Sequence, residues 1–203
     1  MRRSPLAIAL LITALAACQP QATPTPSDAA SKPAASTTQA DAQFAALSKR
    51  WLDGWLQLQP ITATQTGDHR HDDQIDDLSV VGRQKSIDFS KKMLTELDAL
   101  DVSGLSRENQ VDAAILRNQV RYDIWTTETL QNWAWDPQLY SQLAGGALYT
   151  LMARDFAPMP QRLKSATARM EKLSTLFAQM RENLDLARVP KIHAETVAKQ
   201  HAG

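Results

Sequence analysis

The residues best suited to chemistry crowd into one stretch, Gly67-Asp68-His69-Arg70-His71-Asp72-Asp73-Gln74-Ile75-Asp76-Asp77-Leu78-Ser79. It holds five aspartates and two histidines within thirteen residues. Carboxylate and imidazole are ligands for divalent ions, so metal binding is the chemistry such a stretch could do. The spacing opposes that reading. The stretch has neither the Asp-x-Asp-x-Asp-Gly order of a calcium loop nor a His-Glu-x-x-His pair. Adjacent Asp72-Asp73 and Asp76-Asp77 would have to fold back to meet at one point. The expected role is structural: a polar loop whose carboxylates accept backbone N–H groups and favour the helix start that follows. No metal ligand is assigned in this chain, and no cofactor is expected in it.

Other candidates give less. Trp51 and Trp55 fall on a helical stripe with apolar neighbours and are read as core. Trp133 and Trp135 flank a helix end before Asp136-Pro137, where they either line a groove or pack under a loop. Gly145-Gly146 lacks the Lys-Ser that a phosphate loop needs. His193 and Glu195 do not form a zinc-helix motif. No Ser-His-Asp or Cys-His pairing is indicated. No catalytic residue is therefore assigned, and substrate-binding positions stay open.

The lone cysteine, Cys18, has a different use. Arg2 and Arg3 begin the chain, Leu6 to Leu15 is apolar, and Leu15-Ala16-Ala17-Cys18 follows. That apolar run is shorter than the roughly 20 residues a spanning helix needs, so it reads as an export signal, residues 1–17. Small residues before the cysteine resemble the lipobox of bacterial lipoproteins. In that class the cysteine carries diacylglycerol and fatty acyl chains, palmitate among them, and becomes the new N-terminus. Two or more chains hold stably to a membrane, at ~0.8 kcal/mol per buried methylene. Gln19 in place of an acid resembles the outer-membrane sorting pattern of enteric bacteria. The expected location is the bacterial envelope, anchored to the outer membrane and facing the periplasm.

Residues 19 to 40 are Pro, Ala, Ser or Thr at 17 of 22 positions, with no aromatic residue and no Val, Ile, Leu or Met. Such a stretch buries too little apolar area to offset ordering, so 18–40 reads as a lipidated, disordered tether. It would hold a folded domain, 41–203, away from the membrane.

That domain reads as helical throughout. Phe44, Leu47, Trp51, Trp55 and Leu58 step by three and four, and Pro60 ends the run. Pro60 also suits the start of a short second helix that Gly67 stops. Phe89, Met93, Leu97 and Leu100 form the next stripe. Ser106 is the candidate cap of a third long helix, with Val111, Ile115 and Tyr122 on its stripe and Leu116, Val120 and Ile124 alongside. That helix is expected to run towards Trp133 and break at Asp136-Pro137. A short apolar piece lies around Leu148 to Met152. Met159, Leu163, Ala166, Met170 and Leu173 step by four and three, continuing as Phe177, Met180 and Leu184, in one helix or two. Pro190 ends them, and 191–202 form a last short helix. No segment alternates with a two-residue period. The fold class is all-α, about six helices in one domain, long enough to bury about two-thirds of its extended-chain surface.

Charge narrows the function. Lys plus Arg total 22 and Asp plus Glu total 22, and without residues 1–17 the chain carries a net −2. That is no basic excess, so a nucleic acid is not the expected partner.

Three phrases in order carry a resemblance. They are Pro60, Ala63-Thr64, Gly67-Asp68-His69, Asp73 and Leu78-Ser79; then Trp135-Asp136-Pro137, Tyr140 and Gly145-Gly146; then Asp155-Phe156-Ala157-Pro158 with Arg162 and Arg169. They resemble the N-terminal part of the bacterial family catalogued as domain of unknown function 885, over roughly residues 42–203. Its members are mostly exported or lipid-anchored, helical, and several hundred residues long. The family is similar to gluzincin zinc metallopeptidases, whose His-Glu-x-x-His helix supplies two zinc ligands and a general base. That motif lies downstream in the family and is absent here, so no ligand carries over; zinc belongs to a complete member. The resemblance implies an N-terminal fragment or a truncated gene product. The expected function is the non-catalytic helical portion of a lipid-anchored, metallopeptidase-like envelope protein, helping to form a cleft for a peptide substrate. The alternative is a stand-alone envelope lipoprotein that binds a protein partner or has a structural role. Oligomeric state is not legible in the chain.

Overall fold

The computed structural model describes residues 38–202. The signal segment, Cys18 and the tether up to Ser36-Thr37 lie outside the described residues. Among the described residues all regular structure is helical. The order is α1 (Gln39–Leu58), α2 (Pro60–Thr66), α3 (Val80–Asp98), α4 (Arg107–Trp125), α5 (Asn132–Trp135), α6 (Pro137–Met152), α7 (Met159–Asn183) and α8 (Lys191–Ala202). A 3₁₀ turn covers Val102–Gly104 and a π-helical turn covers Thr126–Leu130. No described helix is long and apolar enough to cross a membrane.

Local chemistry sets the boundaries. Thr38 caps α1 in a reciprocal box with Asp41, so the helical part begins ahead of the expected Asp41. The Asp41 carboxylate also accepts from Asn109 Nδ2 (2.6 Å) and Ser106 N (2.9 Å), tying the start of α1 to the start of α4. Those bonds, with the cap from Thr38, hold Asp41 well below the usual carboxylate range. Pro60 opens α2, and Gly67 closes it at φ 96°, a left-handed conformation that glycine adopts without strain. Ser79 caps α3 and Ser106 caps α4 through their side chains. Asp136 caps α6, with Pro137 in its first turn.

Helices α1, α3 and α4 enclose one core of Phe44, Leu47, Met93, Leu97, Leu105, Ala113, Leu116 and Val120, with Trp51 and Phe89 packed on its edge. Full burial of a large apolar side chain contributes about 1.5–3 kcal/mol. Gly54 lets α1 approach α3, since a Cβ there would collide with the Phe89 ring. Helices α2, α6 and α7 pack together, with α2 also touching α1, and α8 lies on α6.

Several sequence expectations need correction. Helix α4 ends at Trp125 rather than running towards Trp133, because the chain passes into a π-helical turn and Gln131 takes φ 52°. The apolar piece around Leu148 is the end of a full 16-residue helix, α6. Helix α7 is a single helix that stops at Asn183, ahead of Pro190. The largest difference is rotational. On α4 the buried residues are Ala113, Leu116 and Val120, while Val111, Ile115 and Tyr122 face outward, Ile115 being 63% exposed. On α7 the buried residues are Arg162, Ala166, Arg169 and Leu176, while Met159, Leu163 and Met170 face outward, Met170 being 58% exposed. Helix α4 is apolar on two faces, and of the residues the sequence marks there Leu116 and Val120 turn inward; the inner face of α7 carries two arginines, and of its first four stripe residues Ala166 alone is buried.

Candidate functional site

The aspartate-rich stretch folds around a buried cation. Arg169, on α7, is 0% exposed. Its Nε donates to Gln74 O (2.8 Å), its Nη1 to Ala147 O (2.9 Å) and Thr150 Oγ1 (3.3 Å), and its Nη2 to Thr64 Oγ1 (2.6 Å) and Pro60 O (3.1 Å). One guanidinium thus joins α2, the loop and α6. A buried charge is tolerated when hydrogen-bonded and faced by opposite charge. Burial lowers the pKa of Arg169, and the neighbouring Asp72, Asp76 and Asp73 raise it. This gives the acidic composition of the loop a physical cause.

Each aspartate has its own partner. Asp68 pairs with Arg70, and Asp72 Oδ1 accepts from Thr64 Oγ1 at 2.7 Å. Asp73 accepts from Gln74, Asp76 from Ile61 N, and Asp77 from Ser79 N and Gln179 Nε2. Among the described residues, no three His, Cys, Asp or Glu groups converge as metal ligands would. His69 bonds Asp72 through Nδ1 and stacks on Phe156, ring centroids 3.6 Å apart and nearly parallel. Arg162 is also buried, donating to the carbonyls of Ala157 and Arg154 and to Asp155 Oδ1. Tyr140, fully buried, donates to Trp133 O (2.7 Å) and accepts from Asn183 Nδ2 (3.0 Å). Gly146 brings α6 against Ile61. Three phrases far apart in sequence therefore meet in one structural clasp.

A ligand-sized cleft lies beside it. A cleft of about 370 Å³ opens between α1, α3, the π-helical turn and α6. Trp55, Phe89, Tyr122 and Trp133 form its aromatic lining, and Asp76, Asp77 and Asp123 its acidic lining. The π-helical turn presents Thr126 and Thr127 to it. Such turns recur at functional sites. This one is closed by Gln131 N donating to Thr126 O (2.8 Å) and stapled by two indole N–H groups, Trp133 to Thr127 O (3.0 Å) and Trp135 to Leu130 O (2.9 Å).

The wall of this cleft is electrostatically incomplete. Asp123 Oδ1 accepts from Gln119 (2.9 Å), whereas Asp123 Oδ2, Trp55 Nε1 and Thr126 Oγ1 are buried without a hydrogen-bond partner. The Trp55 N–H faces the Asp123 carboxylate without completing a bond of good geometry. Desolvation pushes Asp123 from the usual 3.8 up to about 6, and it does the same to Asp76. Arg83 is the cation of the lining, and it is committed to Leu78 O, Asn183 Oδ1 and the face of Trp133, 3.7 Å from the ring centroid. Clefts that gather perturbed carboxylates and unpaired polar groups are candidate ligand sites. The lining contains no His, Cys or Lys. What it can do is hold a ligand by charge and aromatic contact.

The residues that the sequence singles out divide between the clasp, the cleft and the surrounding supports. Trp55 and Trp133 line the cleft, and Trp51 stacks on Trp55 (5.6 Å) but faces another groove. Trp135 staples the turn. His193 bonds Asp136 Oδ1 (3.0 Å) and Glu195 pairs with Lys191, the first tying α8 to the start of α6 and the second lying within α8. A Cβ on Gly145 would meet open space. Arg83 carries no signal in its spacing, and Asp76 is marked only as one aspartate of the loop. Asp123 continues the buried α4 stripe Ala113, Leu116, Val120 by three residues, so a correctly phased stripe would have exposed a carboxylate on a core face.

The family model described as "Bacterial protein of unknown function (DUF885)" matches residues 60–203. A solved structure from Shewanella oneidensis, described provisionally as a lipoprotein and of unknown function, is 30% identical with a TM-score of 0.66. The match covers 70% of this chain and 26% of that one, so this chain corresponds to about a quarter of its neighbour. No curated protein matches the chain. With a match over most of its length and over all three converging phrases, the chain belongs to the bacterial DUF885 family.

Proposed function

We propose that this chain is the non-catalytic, N-terminal helical portion of a larger lipid-anchored envelope protein, and that it supplies a ligand-binding wall rather than a reaction centre. The observation that carries this is the pair of outward stripes. Val111 and Ile115 on α4, and Met159, Leu163 and Met170 on α7, are apolar side chains left uncovered at helical spacing. Contiguous exposed apolar faces mark interaction surfaces. Their occupant in this reading is the remainder of a family-length protein, because the matched part is only 26% of the Shewanella neighbour.

The anchor is Cys18, with residues 19–40 as the tether. The neighbour's provisional description as a lipoprotein supports it, as does the position of the lone cysteine after an apolar run. The larger protein is read as metallopeptidase-like, with zinc bound outside this chain and a peptide as substrate. The placement is the cell envelope, at the periplasmic face of the outer membrane. The cleft also favours a second reading, a stand-alone envelope lipoprotein that binds its ligand without the rest. Fractionation of cells expressing wild type and Cys18→Ser tests the anchor. Wild type stays with membranes and incorporates labelled fatty acid; the variant does neither. A processed Cys18→Ser chain still held in membranes would refute it.

A further inference from the structure

We propose that the cleft beside the π-helical turn binds an organic ammonium ion, with the charged nitrogen drawn to the Asp123 side and the apolar body lying on Trp55, Phe89 and Tyr122. This goes beyond the anchoring and portion reading and does not depend on it.

Four features converge on this ligand class. The cleft is about 370 Å³, the size of a small molecule or a single side chain. Of its charged lining, Asp76 faces Arg169 and accepts from Ile61 N, Asp77 accepts from Ser79 N and Gln179, and Arg83 is bonded and stacked on Trp133, which leaves Asp123 as the carboxylate with no cation facing it. Asp123 Oδ2 is buried, faced by the Trp55 N–H without a completed bond and by no cation among the described residues. A carboxylate so placed is costly until an opposite charge arrives. Aromatic faces complete the preference. A cation within about 6 Å of such a ring is attracted by its quadrupole, and Tyr122, 54% exposed, can cover an entering ligand.

An anion has no comparable reception, since Arg83 is already engaged. A neutral ligand would gain the aromatic contact and leave Asp123 without a counter-charge. Because Asp123 Oδ2, Trp55 Nε1 and Thr126 Oγ1 are buried, a cation in the cleft acts first through the field of Asp123. A rotation of Asp123 would then convert that attraction into a hydrogen bond, with Thr126 Oγ1 as a second acceptor.

The test uses the full chain in detergent at pH 7.5 and two isosteric probes, cyclohexylmethylamine and cyclohexylmethanol. Binding is read from the indole N–H resonances of Trp55 and Trp133. The amine should shift both resonances saturably and at least tenfold more tightly than the alcohol. Asp123→Asn should weaken the amine about tenfold and leave the alcohol unchanged. Tyr122→Ala, an exposed change that the fold tolerates, should weaken both probes. Equal affinity for amine and alcohol, no saturable shift, or amine binding unchanged in Asp123→Asn would each overturn the assignment.

Discussion

Replacing Arg169 by Met keeps most of the side-chain volume and removes the charge. The consequence follows from what the guanidinium touches. Pro60 O, Gln74 O and Ala147 O would lose a donor in a buried setting, as would the hydroxyls of Thr64 and Thr150. Asp72, Asp73 and Asp76 would lose the cation that faces them. Breaking a buried, hydrogen-bonded charge by removing one partner costs about 3–5 kcal/mol. For a domain of this size that corresponds to a fall in Tm of roughly 6–20 °C. Arg169→Lys should recover little, because one ammonium cannot reach acceptors on α2, the loop and α6 together. The assay is thermal melting followed by circular dichroism, with urea titration as a check. A Met variant within about 1 kcal/mol of wild type would refute the claim that this residue organises the clasp.

Leu163→Ala and Met170→Ala, outward on α7, should each change stability by no more than about 0.5 kcal/mol, whereas Leu176→Ala, buried on the same helix, should cost about 2–5 kcal/mol; equal losses in urea titrations would contradict the rotation. Asp76 and Asp123 are raised from 3.8 to about 6 in the folded chain, so between about pH 4 and 6 the folded state holds more protons than the unfolded one. Their contribution therefore falls as pH rises through that window, and Asp123→Asn should flatten the fall and raise stability at pH 7; an unchanged pH profile would count against it. His69→Asn with His71→Asn should leave metal content unchanged and lose about 0.5–1.5 kcal/mol of stacking on Phe156; stoichiometric zinc or calcium lost in the double variant would restore the metal reading of the loop.

Much of the fold is legible because local chemistry and tertiary structure agree. Pro60, Gly67, Ser79, Ser106 and Asp136-Pro137 mark helix boundaries, and the structure uses each of them as a start, stop or cap. Phe44 and Leu47 on α1, and Met93 and Leu97 on α3, point inward as expected. On α4 periodicity finds two apolar faces without saying which turns inward, and on α7 it finds a stripe whose first turns stay outside apart from Ala166. A helix with two apolar faces cannot say which one its own chain will cover, and two arginines on the inner face of α7 look like solvent-facing residues until their acceptors are known. The cleft is harder still. Its carboxylates come from a loop and from the end of α4, and its shape depends on a π-helical turn for which sequence carries no strong signal. The acidic loop stands out by composition alone, while its cause, the buried Arg169, sits far along the chain on α7.

We propose that this chain is one helical portion of a longer family protein whose remaining residues cover Ile115 and Met170. The most direct measurement is the nucleotide sequence beyond the codon of Gly203. The account predicts a reading frame that continues, or resumes after a frameshift, into sequence similar to the rest of the Shewanella neighbour and containing a His-Glu-x-x-His helix. A stop codon followed by nothing similar would contradict it and leave the stand-alone lipoprotein as the reading.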